Sequence, residues 1–272
     1  MRNLFVLLCF FSLQAYEFTD DPIDVVIPCH SKDMMILEKC IAGIKRQGQN
    51  IRRVIVISNI KLTENAEHFS ESLFPFTKEM VVKRVLMGKN ASKNTWEKMS
   101  GRGGWIYQQL LKFYAPYIIP NISSNILILD ADTVFLNPVS FQDPVTNAAL
   151  FNVGTENNKQ YFDHANRLIP GFRKVFEEHS GICHYMLFQK SVIDHLFSVV
   201  QKENNAPFWQ AFCKKINPED FSGCSEYEIY FNFAFRNSKE FKIRKLDWKN
   251  VERLQLDIDA KNYHYVSCHS WM

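Results

Sequence analysis

The sequence predicts an α/β protein with a mainly parallel central sheet flanked by helices. Short runs of Val and Ile are typical of strands buried on both faces, and a helical pattern separates the first two of these runs. The chain has 272 residues, of which 46% are hydrophobic. This is enough for one substantial domain, which we place at residues 22–272.

The predicted elements begin with a strand at residues 23–28, and residues 54–57 form the second strand. Between them, residues 34–46 place apolar side chains at helical spacing. The order strand, helix, strand favours a right-handed parallel crossover. Residues 81–86 and 126–129 are predicted to extend the same sheet.

The turn after the first strand is polar and contains Pro28, His30 and Asp33. Ligands of open α/β sheets bind outside the carboxyl ends of the strands. These three residues are therefore candidate nucleotide contacts, and a mere connecting turn is the alternative.

Residues 103–113 begin with two glycines and continue as an amphipathic helix. Glycine permits close backbone approach and a helix N-terminus attracts anions, so we expect this segment near a donor phosphate or sugar. Gln108 and Lys112 lie one turn apart and are its candidate contacts. The alternative is a core helix with one solvated side.

The buried run at residues 126–129 ends in two spaced carboxylates, Asp130 and Asp132. A tight bend after the strand lets both converge on one divalent cation, Mg²⁺ or Mn²⁺, which takes its other ligands from substrate phosphates. Aspartates that only cap the next turn are the alternative.

The second half of the chain is less regular. Residues 151–176 predict an active-site loop or a small helical lobe, and residues 180–188 predict a turn that enters another buried strand. His184 in that turn faces an acceptor or is structural.

Two glutamates, Glu226 and Glu228, lie in an aromatic segment. Apolar surroundings raise the pKa of a carboxyl group towards values suited to proton transfer, so both are candidate catalytic residues. Acidic residues in the first turn of a helix are the alternative. Near the end of the chain, His264 or His269 is a candidate third metal ligand, because histidine is a frequent ligand of such ions.

Residues 1–15 contain Arg2 and then an apolar run of about ten residues, about half the length of a membrane span. They predict a signal peptide cleaved near Ala15, with an uncleaved membrane anchor or a buried N-terminal helix as alternatives. Secretion or membrane association is expected. Of the seven cysteines, the six outside this segment leave disulfides and free thiols open. The net charge of +3 is scattered along the chain and indicates no nucleic-acid partner.

Five segments together resemble a family of poorly characterised proteins classed as GT-A-like glycosyltransferases. They lie, in order, at residues 25–28, 104–112, 127–134, 225–228 and 269–271. More distantly, the aspartate segment and the late histidine resemble glycosyltransferase family eight, the glycogenin and lipopolysaccharide galactosyltransferase group. This chain lacks the longer glycine- and lysine-containing motif that precedes the tryptophan in that group.

The resemblance implies a GT-A-like nucleotide-sugar-binding fold with a small acceptor-side lobe. It implies that Asp130 lies near the nucleotide ribose and the metal, that Asp132 binds Mn²⁺, and that His269 completes the protein ligands. The expected function is metal-dependent transfer of a sugar from a nucleotide diphosphate sugar, with UDP-sugars favoured. The acceptor, whether glycan, lipid or protein, stays open. A metal-dependent phosphohydrolase and an inactive sugar-binding module are the competing hypotheses.

Overall fold

The computed structural model describes residues 16–89, 92–220 and 222–269. In chain order the strands are β1 (Ile23–Pro28), β2 (Ile51–Ser58), β3 (Glu67–Ser70), β4 (Asn125–Leu129), β5 (Thr133–Phe135), β6 (Leu150–Phe151), β7 (Tyr185–Gln189), β8 (Lys242–Ile243), β9 (Trp248–Val251) and β10 (Tyr265–Cys268). The helices are α1 (Met34–Gln47), α2 (Lys78–Leu86), α3 (Lys93–Ile118), α4 (Lys159–Leu168), α5 (Lys190–Asn204), α6 (Phe208–Lys215), α7 (Glu226–Asn237) and α8 (Leu256–Asn262).

The central sheet has the strand order β3-β2-β1-β4-β7. Strands β3, β2, β1 and β4 run parallel, and β7 pairs with β4 in the antiparallel direction. Every residue of β1 and of β4 is buried, as expected for strands covered by helices on both faces. The predicted α/β class with a mainly parallel sheet is confirmed.

The strand order creates a switch point between β1 and β4. From β1 the chain moves to β2 and β3 on one side, and it later returns to β4 on the other side. At such a point the connections leave in opposite directions and open a crevice at the carboxyl ends of the two strands. The polar turn after β1 and the aspartates after β4 both lie at this crevice.

A second, three-stranded sheet carries the C-terminal part of the chain back to the aspartates. Its order is β5-β10-β9, with β10 antiparallel to β5 and parallel to β9. Ser267 in β10 pairs with Thr133 in β5, directly after Asp132. This register brings the last described residues to the edge of the central sheet.

The predicted strand at residues 81–86 is wrong, because these residues lie in helix α2. The hydroxyl of Thr77 caps the helix by accepting a hydrogen bond from the backbone N–H of Met80. The buried positions 81, 82, 85 and 86 follow helical rather than alternating spacing. The β-branched composition of the segment suggested a strand, and packing on α3 overrides that preference.

Helix α3 begins ten residues earlier than predicted. Ser92 caps it by accepting from the backbone N–H of Thr95, so Gly103 and Gly104 lie inside the helix. The expected anion site at a helix N-terminus beside these glycines is therefore wrong, because their N–H groups belong to the interior of the helix. Gly103 instead permits close packing, since a Cβ at this position would overlap the Val82 side chain of α2.

Two glycines of α3 provide a matched pair of substitutions. We expect Gly103→Ala to lower the free energy of unfolding by about 1–3 kcal/mol, because the methyl group overpacks the α2–α3 contact. Gly101→Ala should raise it by about 0.5–1 kcal/mol, because a Cβ there meets no atom within 4 Å and alanine favours the helix. Urea unfolding measures both. Equal effects of the same sign would contradict this account of α3.

The irregular segment before β7 is tied at its base. The backbone N–H and C=O groups of Gly154 and Ser180 bond to each other reciprocally, at 2.9 and 3.0 Å. We call these two residues the neck and residues 155–179 the excursion. The excursion contains α4, which agrees with the helical-lobe alternative for this part of the chain.

The structure describes the cysteines outside the leader but does not describe the leader itself. The leader, including Ala15, lies outside the described residues. Every cysteine within the described ranges carries a free thiol, and all but Cys268 are buried. Among the described residues, no helix combines the length and the apolar composition that crossing a membrane requires.

Candidate functional site at the carboxyl ends of the central strands

The site is organised by the turn that follows β4. The backbone N–H of Thr133 donates to the C=O of Asp130, which closes the tight bend expected between the two aspartates. The N–H of Asp130 donates to the C=O of His184 at 3.0 Å. Asp130 is thereby fixed to the start of the neighbouring antiparallel strand.

Asp130 is surrounded by three polar side chains. Its Oδ1 atom lies 2.5 Å from the Lys112 Nζ atom and accepts a hydrogen bond from the Tyr227 hydroxyl at 3.1 Å. Its Oδ2 atom lies 3.6 Å from the Nδ1 atom of His184. The Oδ1 atom of Asp130 therefore accepts from two side chains, and its Oδ2 atom faces the imidazole of His184.

Asp132 has a separate set of partners from β10 and beyond. Its Oδ1 atom accepts from the Ser267 hydroxyl at 3.1 Å, and its Oδ2 atom lies 3.1 Å from the Nδ1 atom of His269. The N–H of Cys268 donates to the backbone C=O of Asp132 at 2.9 Å, which sets this arrangement. The rings of His184 and His269 are 5.1 Å apart, so the two Asp–His pairs are neighbours.

Lys112 is the buried centre of a charged network. Its side chain is 4% exposed, and its Nζ atom lies 2.5 Å from Glu226 Oε1 as well as from Asp130. The ammonium also contacts Tyr227, at 3.3 Å from the hydroxyl and 4.4 Å from the ring centroid. These contacts use all three of its donors.

Gln109 holds the start of α7 against α3. Its side-chain carbonyl accepts from the backbone N–H of Glu226, and its amide donates to the C=O of Cys224. Glu226 therefore reaches Lys112 from a fixed helix end. The side chain of Ser225 caps the same helix by accepting from the N–H of Glu228.

The pKa shifts follow from these contacts. Burial alone would raise the pKa of Asp130, but the charge of Lys112 and the nearby His184 hold it well below its usual range. Burial would lower the pKa of Lys112, but the charges of Asp130 and Glu226 raise it above its ordinary value. Burial raises the pKa of Glu226, and Lys112 offsets only part of that rise. Lys112 and Asp130 are thus a charged pair at neutral pH.

The predicted nucleotide contacts other than Lys112 and Asp130 lie on the β1 side of the crevice. The Gln108 amide donates to the backbone C=O of Pro28 at 3.3 Å, which joins two of the predicted residues. His30 is exposed, and its Nδ1 atom accepts from the N–H of Lys32. Burial raises the pKa of Asp33, and the charge of Asp132 adds to this rise, so Asp33 lies within electrostatic range of the aspartates.

Two predicted residues lie apart from this group. Glu228 accepts from the Ser180 hydroxyl at 2.6 Å and from the Asn232 amide at 2.9 Å, and these contacts favour a structural role at the neck. His264 accepts from the backbone N–H of Asp247 and is not in contact with the aspartates. Of the two histidines left open by the sequence, the fold brings His269 to Asp132. A catalytic role for Glu228 stays a prediction.

Three residues at the site were not selected from the sequence: Tyr227, Ser267 and Trp248. His184, for which the sequence allows either an acceptor contact or a structural role, has φ +66°, in the left-handed region that a non-glycine residue rarely adopts. It precedes Tyr185, which pairs with Leu129, so the antiparallel register places it opposite Asp130. Only knowledge of the strand pairing could have identified it.

Comparisons with known proteins give a family and a distant structural likeness. Residues 20–264 match the group described as "Family of unknown function (DUF6492)". No curated protein matches the sequence. The crystal structure of mouse xyloside xylosyltransferase 1 in its apo form is similar at 13% identity with a TM-score of 0.41, over 91% of this chain and 94% of that chain.

Proposed function

Because this chain belongs to DUF6492, a family of unknown function, over residues 20–264, we propose its activity from the site itself. The protein is a metal-dependent glycosyltransferase that moves a sugar from a nucleotide diphosphate sugar, with UDP-sugars favoured, to an acceptor hydroxyl. One observation carries the proposal. The Asp132–His269 pair lies beside the Lys112-bound Asp130 at the switch point of the parallel sheet.

The donor chemistry of the pair suits a divalent cation. Asp132 offers carboxylate oxygen and His269 offers imidazole nitrogen, which Mn²⁺ accepts together. The described ranges contain no group of three or more His, Cys, Asp or Glu side chains arranged to hold a metal ion. Mg²⁺ or Mn²⁺ commonly keeps one or two protein ligands and completes its shell with phosphate and water. A metal that is held jointly with a diphosphate fits this pair of side chains.

The residues of the site would then have separate roles in the reaction. A cation held by Asp132 and His269 would supply Lewis-acid neutralisation of the charge on the departing diphosphate. Asp130 is held by Lys112 and Tyr227, so its orientation is set before any ligand arrives. Glu226, whose pKa is raised by burial, is our candidate for the acceptor base if the reaction inverts configuration. A retaining reaction does not require a base at this position.

The test is a thermal-shift panel with Mn²⁺ and UDP, GDP, CDP or phosphate. Ligand binding to the native state at about 100 times its Kd stabilises the protein by about 2.7 kcal/mol. We expect a metal-dependent shift with UDP that is lost in Asp132→Ala. Asp247→Ala is the matched control, because its carboxylate also lies close to a histidine Nδ1 atom, at 3.7 Å, but is exposed and outside the site.

Three outcomes would count against the proposal. The absence of a shift with any nucleoside diphosphate in folded wild-type protein would remove its basis. Release of inorganic phosphate from phosphate monoesters would favour the phosphohydrolase. Nucleotide-sugar binding without transfer to any acceptor, or hydrolysis, would favour the inactive sugar-binding module.

A further inference from the structure

Strand β9 presents two side chains towards the site that have no part in the scheme above. Trp248 pairs with Tyr265, and Asn250 pairs with Ser267, in the parallel β9–β10 ladder. Residues in register on neighbouring strands point to the same face. The Trp248 and Tyr265 rings confirm this, since they stack 5.7 Å apart at an interplanar angle of 5°. Asn250 therefore shares its face with Ser267, which donates to Asp132.

Trp248 lies at the edge of the site and is held in place there. Its ring centroid is 5.1 Å from that of His184, in an edge-to-face arrangement. Its indole N–H donates to the backbone C=O of Val153 at 3.4 Å. The half-buried indole is thus held against His184, the residue that precedes β7.

The Oδ1 atom of Asn250 is buried and accepts no hydrogen bond from the described residues. The hydroxyl of Thr133, two strands away in the same row, is also buried without a partner in that part of the chain. A buried polar atom without a partner destabilises the fold, and native proteins contain few of them. Two such atoms in one row beside Asp132 indicate a place where a polar ligand completes the hydrogen bonding.

The order of groups along the sheet edge indicates what that ligand is. The predicted nucleotide contacts of the polar turn follow β1, the aspartates follow β4, and His184 precedes β7, which is the next strand along. Trp248 contacts the His184 ring. A nucleotide diphosphate sugar has the same order of parts: nucleoside, diphosphate, sugar. The His184 and Trp248 end of this order therefore corresponds to the sugar ring.

We propose, on the basis of the glycosyltransferase function, that Trp248 and Asn250 form the subsite for the transferred sugar. The Asn250 carbonyl accepts a hydrogen bond from one hydroxyl of the ring. The indole covers the apolar side of the same ring. Sites that hydrogen-bond a substrate hydroxyl discriminate more strongly than apolar contacts, so Asn250 determines which sugar epimer is preferred.

The experiment compares UDP with UDP-glucose, UDP-galactose and UDP-N-acetylglucosamine, each with Mn²⁺, by calorimetric titration. Asn250→Ala should weaken binding of the preferred UDP-sugar about tenfold, as for one hydrogen bond, and reduce the epimer preference. Its affinity for UDP should stay within about twofold of wild type, because UDP lacks the transferred sugar that makes this hydrogen bond. Trp248→Ala should weaken all three UDP-sugars, and Trp248→Phe should restore part of the loss. Lys249→Ala is the control, because Lys249 is exposed and alternates to the opposite face.

The outcomes separate this inference from the proposed function. If the Asn250 and Trp248 variants bind UDP and UDP-sugars as wild type does, the subsite is wrong and the glycosyltransferase proposal stands. If Asn250→Ala weakens UDP as much as UDP-sugars, the residue does not contact the sugar and the inference is wrong. If folded wild-type protein binds no nucleoside diphosphate and no UDP-sugar, the proposed function fails, and the sugar subsite fails with it.

Discussion

Lys112→Met is expected to lower the free energy of unfolding by about 3–5 kcal/mol, the cost of removing one partner from a buried ion pair. The substitution leaves the carboxylates of Asp130 and Glu226 without their counter-charge, while methionine fills nearly the same space. Urea unfolding at neutral pH measures the loss. Adding Glu226→Gln to Lys112→Met should recover about 1–2 kcal/mol, because one unpaired carboxylate is removed.

This loss has a pH signature. The pKa of Asp130 is depressed in the folded protein, so its pairing with Lys112 contributes stability above its unfolded pKa of about 3.9 and loses that contribution as the pH falls. The difference between wild type and Lys112→Met should therefore shrink below about pH 4. Lys190→Met is the control, because Lys190 pairs with Asp194 on an exposed helix face, where such pairs contribute less than about 1 kcal/mol. A similar, small loss in both variants would show that the buried Lys112 pair stabilises the fold no more than an exposed pair does.

Asp24→Ala is the second substitution with a large expected effect, again about 3–5 kcal/mol. The Asp24 side chain is fully buried in β1 and accepts from Arg52 at 2.8 and 2.5 Å and from Arg53 at 3.1 Å. It also accepts from the backbone N–H of Ser123 at 2.9 Å, just before β4. The carboxylate therefore links β1, β2 and the start of β4, and its loss removes four hydrogen bonds, two of them from Arg52.

The matched control for Asp24 is Glu67→Ala. Glu67 also pairs with Arg53, at 3.1 Å, but its side chain is 54% exposed, so we expect a change within about 0.5 kcal/mol. Because Asp24 lies at the amino end of β1, opposite the crevice, the shift with Mn²⁺ and UDP should persist in the folded Asp24→Ala protein. Loss of that shift would mean that the two ends of the sheet are coupled.

Elements that depend on residues close together in the chain could be predicted from the sequence. The buried runs of β1, β2 and β4, the helix α1 and the bend that carries Asp130 and Asp132 each follow from residues within a few positions of one another. The sequence predicts a strand where helix α2 lies, because valines favour a strand on composition alone. The burial of this segment depends instead on contact with α3.

The parts of the site that could not be predicted depend on pairing between distant strands. His184 reaches Asp130 through the β4–β7 register, and His269 reaches Asp132 because β10 returns to β5. The choice between His264 and His269 rests on the same register, which no local pattern in the sequence specifies. The sequence predicts Lys112 as a contact to a donor phosphate or sugar, and its role as an internal counter-charge depends on Glu226, which is distant in the sequence.

The neck determines where this chain tolerates insertions and deletions. The paired backbone bonds of Gly154 and Ser180 close the excursion at its base, and Glu228 of α7 holds the Ser180 hydroxyl. The entropy of closing a loop grows only slowly with its length. Insertions or deletions in the exposed parts of residues 155–179 are therefore absorbed above the neck and do not displace His184, four residues further on. The chain can thus acquire new surface in the excursion while His184 keeps its place opposite Asp130.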